Sequence, residues 1–311
     1  MTIGTPVGAL PRESPGELRL WWQAARPATL PAALSPVVVG TAAGLAGPGG
    51  EGGLRPLPFL AALLGSVLIQ VGTNFANDYS DFHRGADTHE RLGPTRVTQA
   101  GLLTPVQVAR AIAVTFTFAV LIGAYLVWVG GWPIVAIGIA SILCALAYTG
   151  GPWPYGYHGL GDVFVFIFFG MVAVGGSAYL QTDGLSTLAL IAAVPVGLLI
   201  TNILVVNNLR DLPTDRAAGK RTLAVRIGDR ATRWQYALFV ALAYAVPVVL
   251  LATGVMGAWV LLPLLTLPLA VGAVRTIAGG MAGRELNPML ARSGKLQLFY
   301  GVLFAAGLML G

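Results

Sequence analysis

An all-α fold that crosses a membrane many times is what the composition and patterning of this chain predict. Of 311 residues, 56% are hydrophobic and 10% charged, and mean hydropathy is +0.75; soluble domains carry roughly 25% charged residues. Apolar runs recur at about the 20 residues a spanning helix needs. The charges gather between those runs.

Nine spans are predicted, at 28–47, 57–76, 105–128, 132–149, 162–181, 185–206, 234–253, 257–276 and 296–311. The first carries Pro31 and Pro36 and is expected to kink, because neighbouring helices, side chains and water satisfy the backbone groups a membrane proline frees. The Gly-rich stretch 47–53 then makes a flexible outer connection to the second run, which ends among Asn74, Phe75 and Ala76. The third and fourth runs flank Gly130 and Gly131, and the fourth holds Cys144, the one cysteine. The fifth starts at Asp162; the sixth contains Pro195 and ends just before Asn207. Pro247 and Pro263 fall inside the seventh and eighth. The ninth is short, so it either tilts little or begins a few residues earlier.

The basic residues test this topology, since short cytoplasmic loops are enriched in Lys and Arg. With the N-terminus inside, the cytoplasmic segments hold Arg12, Arg19 and Arg26; Arg84, Arg91, Arg96 and Arg110; Arg210 through Arg233; and Arg275, Arg284, Arg292 and Lys295, leaving Arg55 outside. The expected location is a bacterial-type cytoplasmic membrane. A net charge of +6 and a pI near 9.8 do not imply a nucleic-acid partner, because the cations are spread over four loops rather than along one face. Residues 1–20 lack the pattern of a signal peptide and read as a flexible cytoplasmic segment of a single integral domain, 1–311. One cysteine excludes an intramolecular disulfide and a cysteine metal site.

Two acidic clusters end apolar runs: Asn74, Asn77, Asp78 and Asp81, extending to Asp87, and Asn207, Asn208 and Asp211, extending to Asp215. On a helix each set shares a face by its three- and four-residue spacing. Mg²⁺ takes a few carboxylates, retained waters and phosphate oxygens rather than a closed protein cage, so two such faces suit a metal-bridged diphosphate. The bland alternative is that the acids pair with Arg84, Arg91, Arg210 or Arg216 in solvated loops. The loops 77–104 and 207–233 lie four spans apart as a weak internal repeat, which suggests two half-bundles meeting over one cavity. Gly219-Lys220-Arg221-Thr222 brings cations to the second cluster, where Lys supplies a point charge and Arg a fork for phosphate oxygens.

A charged head held by metal and cations, with a tail among helices, describes a diphosphate of an apolar alcohol. If the tail is allylic, departure of diphosphate leaves a carbocation-like carbon for an electron-rich acceptor, and the reaction is prenyl transfer. Rings at Tyr148, Tyr155, Tyr157 and Phe168 can shield such a cation or serve as ordinary interface aromatics. His83, His89 and His158 form no metal-site spacing. The rival from another class is an ion-coupled transporter, whose acids belong near mid-bilayer, not at the cytoplasmic ends of helices.

With these residues in view, the chain resembles the UbiA superfamily of intramembrane aromatic prenyltransferases, and more closely its 1,4-dihydroxy-2-naphthoate polyprenyltransferase branch. The likeness runs over nearly the whole chain, through Ala25-Arg26-Pro27-Ala28-Thr29, Asn77-Asp78-Tyr79-Ser80-Asp81, Gly85-Ala86-Asp87, Gly93-Pro94-Thr95-Arg96, Tyr148-Thr149-Gly150-Gly151, Pro154-Tyr155-Gly156-Tyr157, Gly159-Leu160-Gly161-Asp162, Asn207-Asn208-Leu209-Arg210-Asp211 and Gly219-Lys220-Arg221-Thr222-Leu223. Gly85 stands where the general superfamily pattern has an acid, and with Asp87 it favours the menaquinone branch over 4-hydroxybenzoate enzymes. The resemblance implies nine helices around a central cavity, and transfer of a polyprenyl group to 1,4-dihydroxy-2-naphthoate with loss of CO₂ and diphosphate, giving demethylmenaquinol. It implies Mg²⁺ held by Asp78, Asp81, Asp211 and Asp215, with Asp87 a further participant and Asn77 and Asn208 in support. Lys220 and Arg221, with Arg96 and Arg210, would meet diphosphate. Arg26 would meet the acceptor carboxylate or anchor the helix end, and Tyr148 and Tyr155 would line the cavity.

Overall fold

The computed structural model describes residues 16–85 and 92–311, so Asp87 and His89 lie outside the described residues. Among those described there are helices and connections and no strand. The helices are α1 (Glu17–Ala25), α2 (Pro31–Ala46), α3 (Pro56–His83), α4 (Pro105–Gly130), α5 (Trp132–Ala147), α6 (Gly161–Thr182), α7 (Thr187–Arg210), α8 (Leu212–Ala217), α9 (Leu223–Ala252), α10 (Ala258–Ala278) and α11 (Asn287–Leu310).

Among the described residues seven helices are long and apolar enough to cross a membrane, and α1 with α2 makes an eighth candidate bent by 48°. The 16 residues of α5 rise about 24 Å at 1.5 Å each, short of a hydrocarbon core of roughly 30 Å. By length and composition the described residues hold seven or eight candidate spans where nine are predicted, and each predicted run coincides with a helix. The bend falls between Thr29 and Pro31, at the first of the prolines expected to kink the chain, and Arg26 just before it is left-handed, with φ of 53° and ψ of 68°. Three helices also outrun their apolar stretches: α3 continues through Asp78 and Asp81 to His83, α9 begins at Leu223 and kinks at Gly228, and α11 begins at Asn287. Hydropathy marks where apolar side chains stop; backbone hydrogen bonding continues past that point.

The most enclosed span is α7, 78% buried along its apolar window, with Ala192, Ala193, Val196, Leu199 and Val206 in the main core. Small residues let its neighbours approach. On α2, Gly40 and Gly44 lie one turn apart, and a Cβ on Gly40 would stand 2.2 Å from the Val174 carbonyl oxygen of α6, the close backbone contact that membrane helices use in place of a hydrophobic drive. Where α6 loosens into a π-helical turn at Phe166–Val172, Gly170 meets Gly197 of α7 backbone to backbone. Leu57, Leu60, Leu64, Phe118 and Leu121 stay exposed on the outside, as a lipid-facing surface requires. At the end of α3 remote from the aspartates, Arg55 grips Asp183 through two bonds of 2.9 and 2.6 Å.

Candidate active site

A cavity of about 640 Å³ opens between the C-terminal ends of α3 and α7 and runs down among the helices. Its deep wall is largely apolar, with Ala32, Pro36, Ile69, Cys144, Phe168 and Ile203; its mouth carries Asp81, Arg84, Arg96, Tyr157, Asp211, Asp215 and Lys220. Both halves of the chain thus contribute to one chamber with a charged rim and an apolar trunk.

Continuation of α3 beyond its apolar run buries Asn74, Asn77, Asp78 and Asp81 on one side. Asn77 accepts a 2.8 Å bond from Thr149. Asp81, 2% exposed, accepts from Arg96 at 2.8 Å on one oxygen and, on the other, from the Tyr157 hydroxyl at 2.5 Å and Lys220 at 3.4 Å. Lys220 also lies 4.5 Å from the Tyr157 ring centre, with Arg84 at 5.8 Å, positions from which a cation is drawn to the ring face. Asp78 is buried and does not reach the cavity wall.

On the other side α7 ends at Arg210, and Asp211 sits between helices with φ −91° and ψ 5° before Pro213 opens α8. Asp211 and Asp215 are therefore not on one unbroken helix, as the spacing predicted, yet the Asp215 amide still donates to the Asp211 carbonyl at 2.7 Å. Gly219, at φ +75°, turns the chain so that the Lys220 amide meets the Asp215 carbonyl at 2.8 Å. Desolvation pushes the half-buried Asp215 carboxyl up to about 7; Lys220 and Arg210 pull it down, while Asp211 and Asp81 raise it.

Arg210 is 2% exposed and forks onto both Asp211 oxygens at 2.8 and 2.6 Å, with its remaining nitrogen on Asn287 at 3.0 Å. Asn287 in turn holds the Leu92 carbonyl at 3.0 Å. Arg210, expected to meet diphosphate, lines the cavity and also braces α7, α11 and the loop beginning at Leu92. Arg221 is exposed and outside the cavity wall; its amide donates to the Tyr157 carbonyl at 2.8 Å. Arg26, Asn208, Tyr148 and Tyr155 all line the cavity. The two tyrosine rings meet edge to face at 5.4 Å, and the Tyr155 hydroxyl, its pKa raised by burial, donates to the Cys144 carbonyl at 2.9 Å.

Two rim residues were not singled out for roles at the head group. Tyr157 belongs to a loop whose aromatic rings and hydroxyls are expected beside the acidic clusters, and Arg84, which donates to the Gly151 carbonyl, reads in sequence as a topological charge or a partner of the acids. Among the described residues, no three His, Cys, Asp or Glu side chains gather closely enough to form a metal cage. Arg96, Lys220 and Arg210 instead engage the carboxylates. The donor set still fits Mg²⁺: it is entirely hard oxygen, and this ion completes its shell with water and substrate phosphate.

The UbiA prenyltransferase family matches residues 33–281. The 1,4-dihydroxy-2-naphthoate octaprenyltransferase of Mycobacterium tuberculosis is 40% identical over 295 residues, covering 94% of this chain and 97% of that protein. The fold is shared with a UbiA homolog from Aeropyrum pernix K1, at a TM-score of 0.66 and 17% identity over 90% of this chain and 97% of that one. A UbiA homolog from Archaeoglobus fulgidus, bound to GPP and Mg²⁺, aligns at a TM-score of 0.59 and 11% identity over 92% of this chain and 99% of its own. The chain belongs to the UbiA prenyltransferase family. It is an integral membrane prenyltransferase, which sets the transporter reading aside.

Proposed function

We propose that this protein transfers a polyprenyl group from its diphosphate to 1,4-dihydroxy-2-naphthoate, releasing diphosphate and CO₂ and giving demethylmenaquinol, the quinol precursor in menaquinone biosynthesis. The observation that carries this reading is the single chamber whose acidic and basic rim stands over an apolar trunk; the relative named for that reaction supports the choice of acceptor. The diphosphate sits at the rim and the prenyl tail runs past Phe168, Ile203 and Pro36.

Asp81, Asp211 and Asp215 would hold Mg²⁺, with Asp78 behind them; that the archaeal homolog is bound to GPP and Mg²⁺ supports the choice of ion. Mg²⁺, when bound, neutralises the diphosphate and assists its departure. Lys220 and Arg96 move from Asp81 toward the incoming phosphate oxygens, exchanging one anion for another. As the allylic C–O bond breaks, its electron pair leaves on diphosphate. Tyr148 and Tyr155 line the chamber and shield the developing cation, and the buried trunk keeps water from it. The acceptor ring supplies the pair for the new C–C bond; when that bond forms at the carboxylated carbon, loss of CO₂ returns a pair to the ring and restores aromaticity. No proton need leave that carbon. Arg26 faces the chamber and receives the carboxylate. The rim faces the cytoplasm, on the sorting of Lys and Arg among the loops.

The test is to incubate purified protein in detergent with Mg²⁺, a polyprenyl diphosphate and either 1,4-dihydroxy-2-naphthoate or 4-hydroxybenzoate, and to follow products by mass. Product is expected with the naphthoate alone. Exclusive use of the benzoate overturns the acceptor, and robust turnover by the Asp81→Ala, Asp211→Ala double variant overturns the metal assignment.

A further inference from the structure

Two turns below Asn77, α3 carries Gln70, a polar side chain in the apolar part of a membrane span, nine-tenths buried yet on the cavity wall. Its surroundings fix which way its amide points. The Thr29 hydroxyl donates to the Arg26 carbonyl at 2.9 Å, so its hydrogen is used. Its oxygen then accepts from Asn74 Nδ2 at 3.0 Å and from Gln70 Nε2 at 3.1 Å, which fills both lone pairs. Asn74 is itself oriented by a 2.9 Å bond to the Ala25 carbonyl. Rotating the Gln70 amide would set its oxygen against the Thr29 oxygen. The Gln70 nitrogen is therefore committed, and its carbonyl oxygen is buried with no hydrogen-bond partner in the protein.

A buried acceptor left unmatched is costly, and costlier in a low-dielectric span than at a surface. Thr29, Asn74 and Gln70 line the same chamber as Arg26, so the group that satisfies Gln70 enters beside the residue that receives the acceptor carboxylate. We propose that the Gln70 carbonyl oxygen accepts a hydrogen bond from a ring hydroxyl of the aromatic acceptor, making Gln70 a specificity-determining residue that requires a hydroxylated ring. The contact serves chemistry as well as selection, since a phenol that donates to a strong acceptor gives its ring more electron density for attack on the prenyl cation. A prenyl tail or diphosphate has no donor to offer there. This inference rests on the naphthoate reading above.

The test pairs protein variants with acceptor analogues. Binding of 1,4-dihydroxy-2-naphthoate, 1-hydroxy-2-naphthoate and 4-hydroxy-2-naphthoate to detergent-solubilised protein is measured by tryptophan fluorescence, and prenylation of the parent compound is measured in parallel. In the wild type, one of the two monohydroxy compounds is expected to bind about tenfold or more weakly than the parent, the scale of one buried bond left unmade. In Gln70→Met that difference disappears, because the parent falls to the level of the analogue. Gln70→Glu keeps an acceptor oxygen and keeps the difference. Binding of polyprenyl diphosphate checks that each variant is folded; if Gln70→Met fails that check, Gln70→Leu takes its place.

A hydroxyl dependence that persists undiminished in Gln70→Met, or equal binding of all three compounds by the wild type, overturns the proposal. A wild type that shows the Gln70-dependent preference but forms no prenylated naphthoate overturns the reaction and leaves the hydroxyl contact standing.

Discussion

The Tyr157 hydroxyl donates to Asp81 at 2.5 Å across the mouth of the cavity, tying the loop after α5 to the acidic end of α3. Lys220 joins the same pair, 3.4 Å from the carboxylate and 4.5 Å from the ring centre. Three segments remote in sequence thus share one anion. Tyr157→Phe keeps the ring beneath Lys220 and removes only the bond to Asp81. A hydrogen bond to a charged group contributes about 1.5–3 kcal/mol, and the bonds Asp81 keeps from Arg96 and Lys220 favour the lower end. A loss of about tenfold in kcat/KM is expected, with KM for the naphthoate unchanged; steady-state kinetics with each substrate varied in turn checks it.

Lys220 holds Asp81 loosely by comparison with Arg96, at 3.4 against 2.8 Å. It is the cation better placed to transfer to an arriving diphosphate. Lys220→Met is expected to raise KM for the polyprenyl diphosphate by about tenfold or more. Arg221→Met, altering an exposed side chain outside the cavity wall, should change it less than twofold. Equal effects of the two substitutions would place the phosphate contact elsewhere.

How far the chain could be read in advance differs between its two acidic ends. Asp78 and Asp81 were legible because α3 simply continues, so three- and four-residue spacing survives as one buried side. Asp211 and Asp215 were legible as neighbours but not as a helix face, since Pro213 starts a new helix between them. Arg210 and Lys220 look alike in sequence, each a cation near an aspartate; only packing makes one a brace to Asn287 and leaves the other at the rim. Gln70 gave no signal, because one amide hardly alters the hydropathy of its run and the bond that orients it comes from Thr29, 41 residues away in sequence and itself held by Asn74. Membrane helices were plain from composition, whereas α5 shows that an apolar run can coincide with a helix too short to establish a span.

The Asp215 carboxyl, held near 7 chiefly by desolvation, gives a pH dependence of defined sign. An unfolded aspartate titrates at about 3.9, so between about 4 and 7 the folded chain binds more protons than the unfolded one, and stability falls as pH rises through that window. In EDTA the melting temperature is expected to decline from pH 5 to pH 7.5. Asp215→Asn should flatten that decline. Above pH 7 the charged carboxylate lies near Asp211 and Asp81, so added Mg²⁺ should raise the melting temperature more at pH 8 than at pH 5.5. A uniform effect of Mg²⁺ across that range would speak against a cation site at these carboxylates.

Gly93 shows how the loop beginning at Leu92 governs the second aspartate. A Cβ built on it would stand 2.7 Å from an Arg210 guanidinium nitrogen and 2.9 Å from the guanidinium carbon, and Arg210 cannot easily withdraw, being held by Asp211 and Asn287 at once. Gly93→Ala must therefore either shift the loop or loosen the Arg210 fork from Asp211. Overpacking of this kind costs typically about 1–3 kcal/mol, and a lower melting temperature is expected together with weaker Mg²⁺-dependent stabilisation, because Asp211 loses the partner that aims it. Gly123→Ala is the matched control: that position in α4 has no atom within 4 Å of a new Cβ, and replacing a helical glycine there should be neutral or mildly stabilising. If the Gly93 variant melts lower but keeps its full response to Mg²⁺, the brace supports the fold without orienting Asp211, and the two roles assigned to Arg210 come apart.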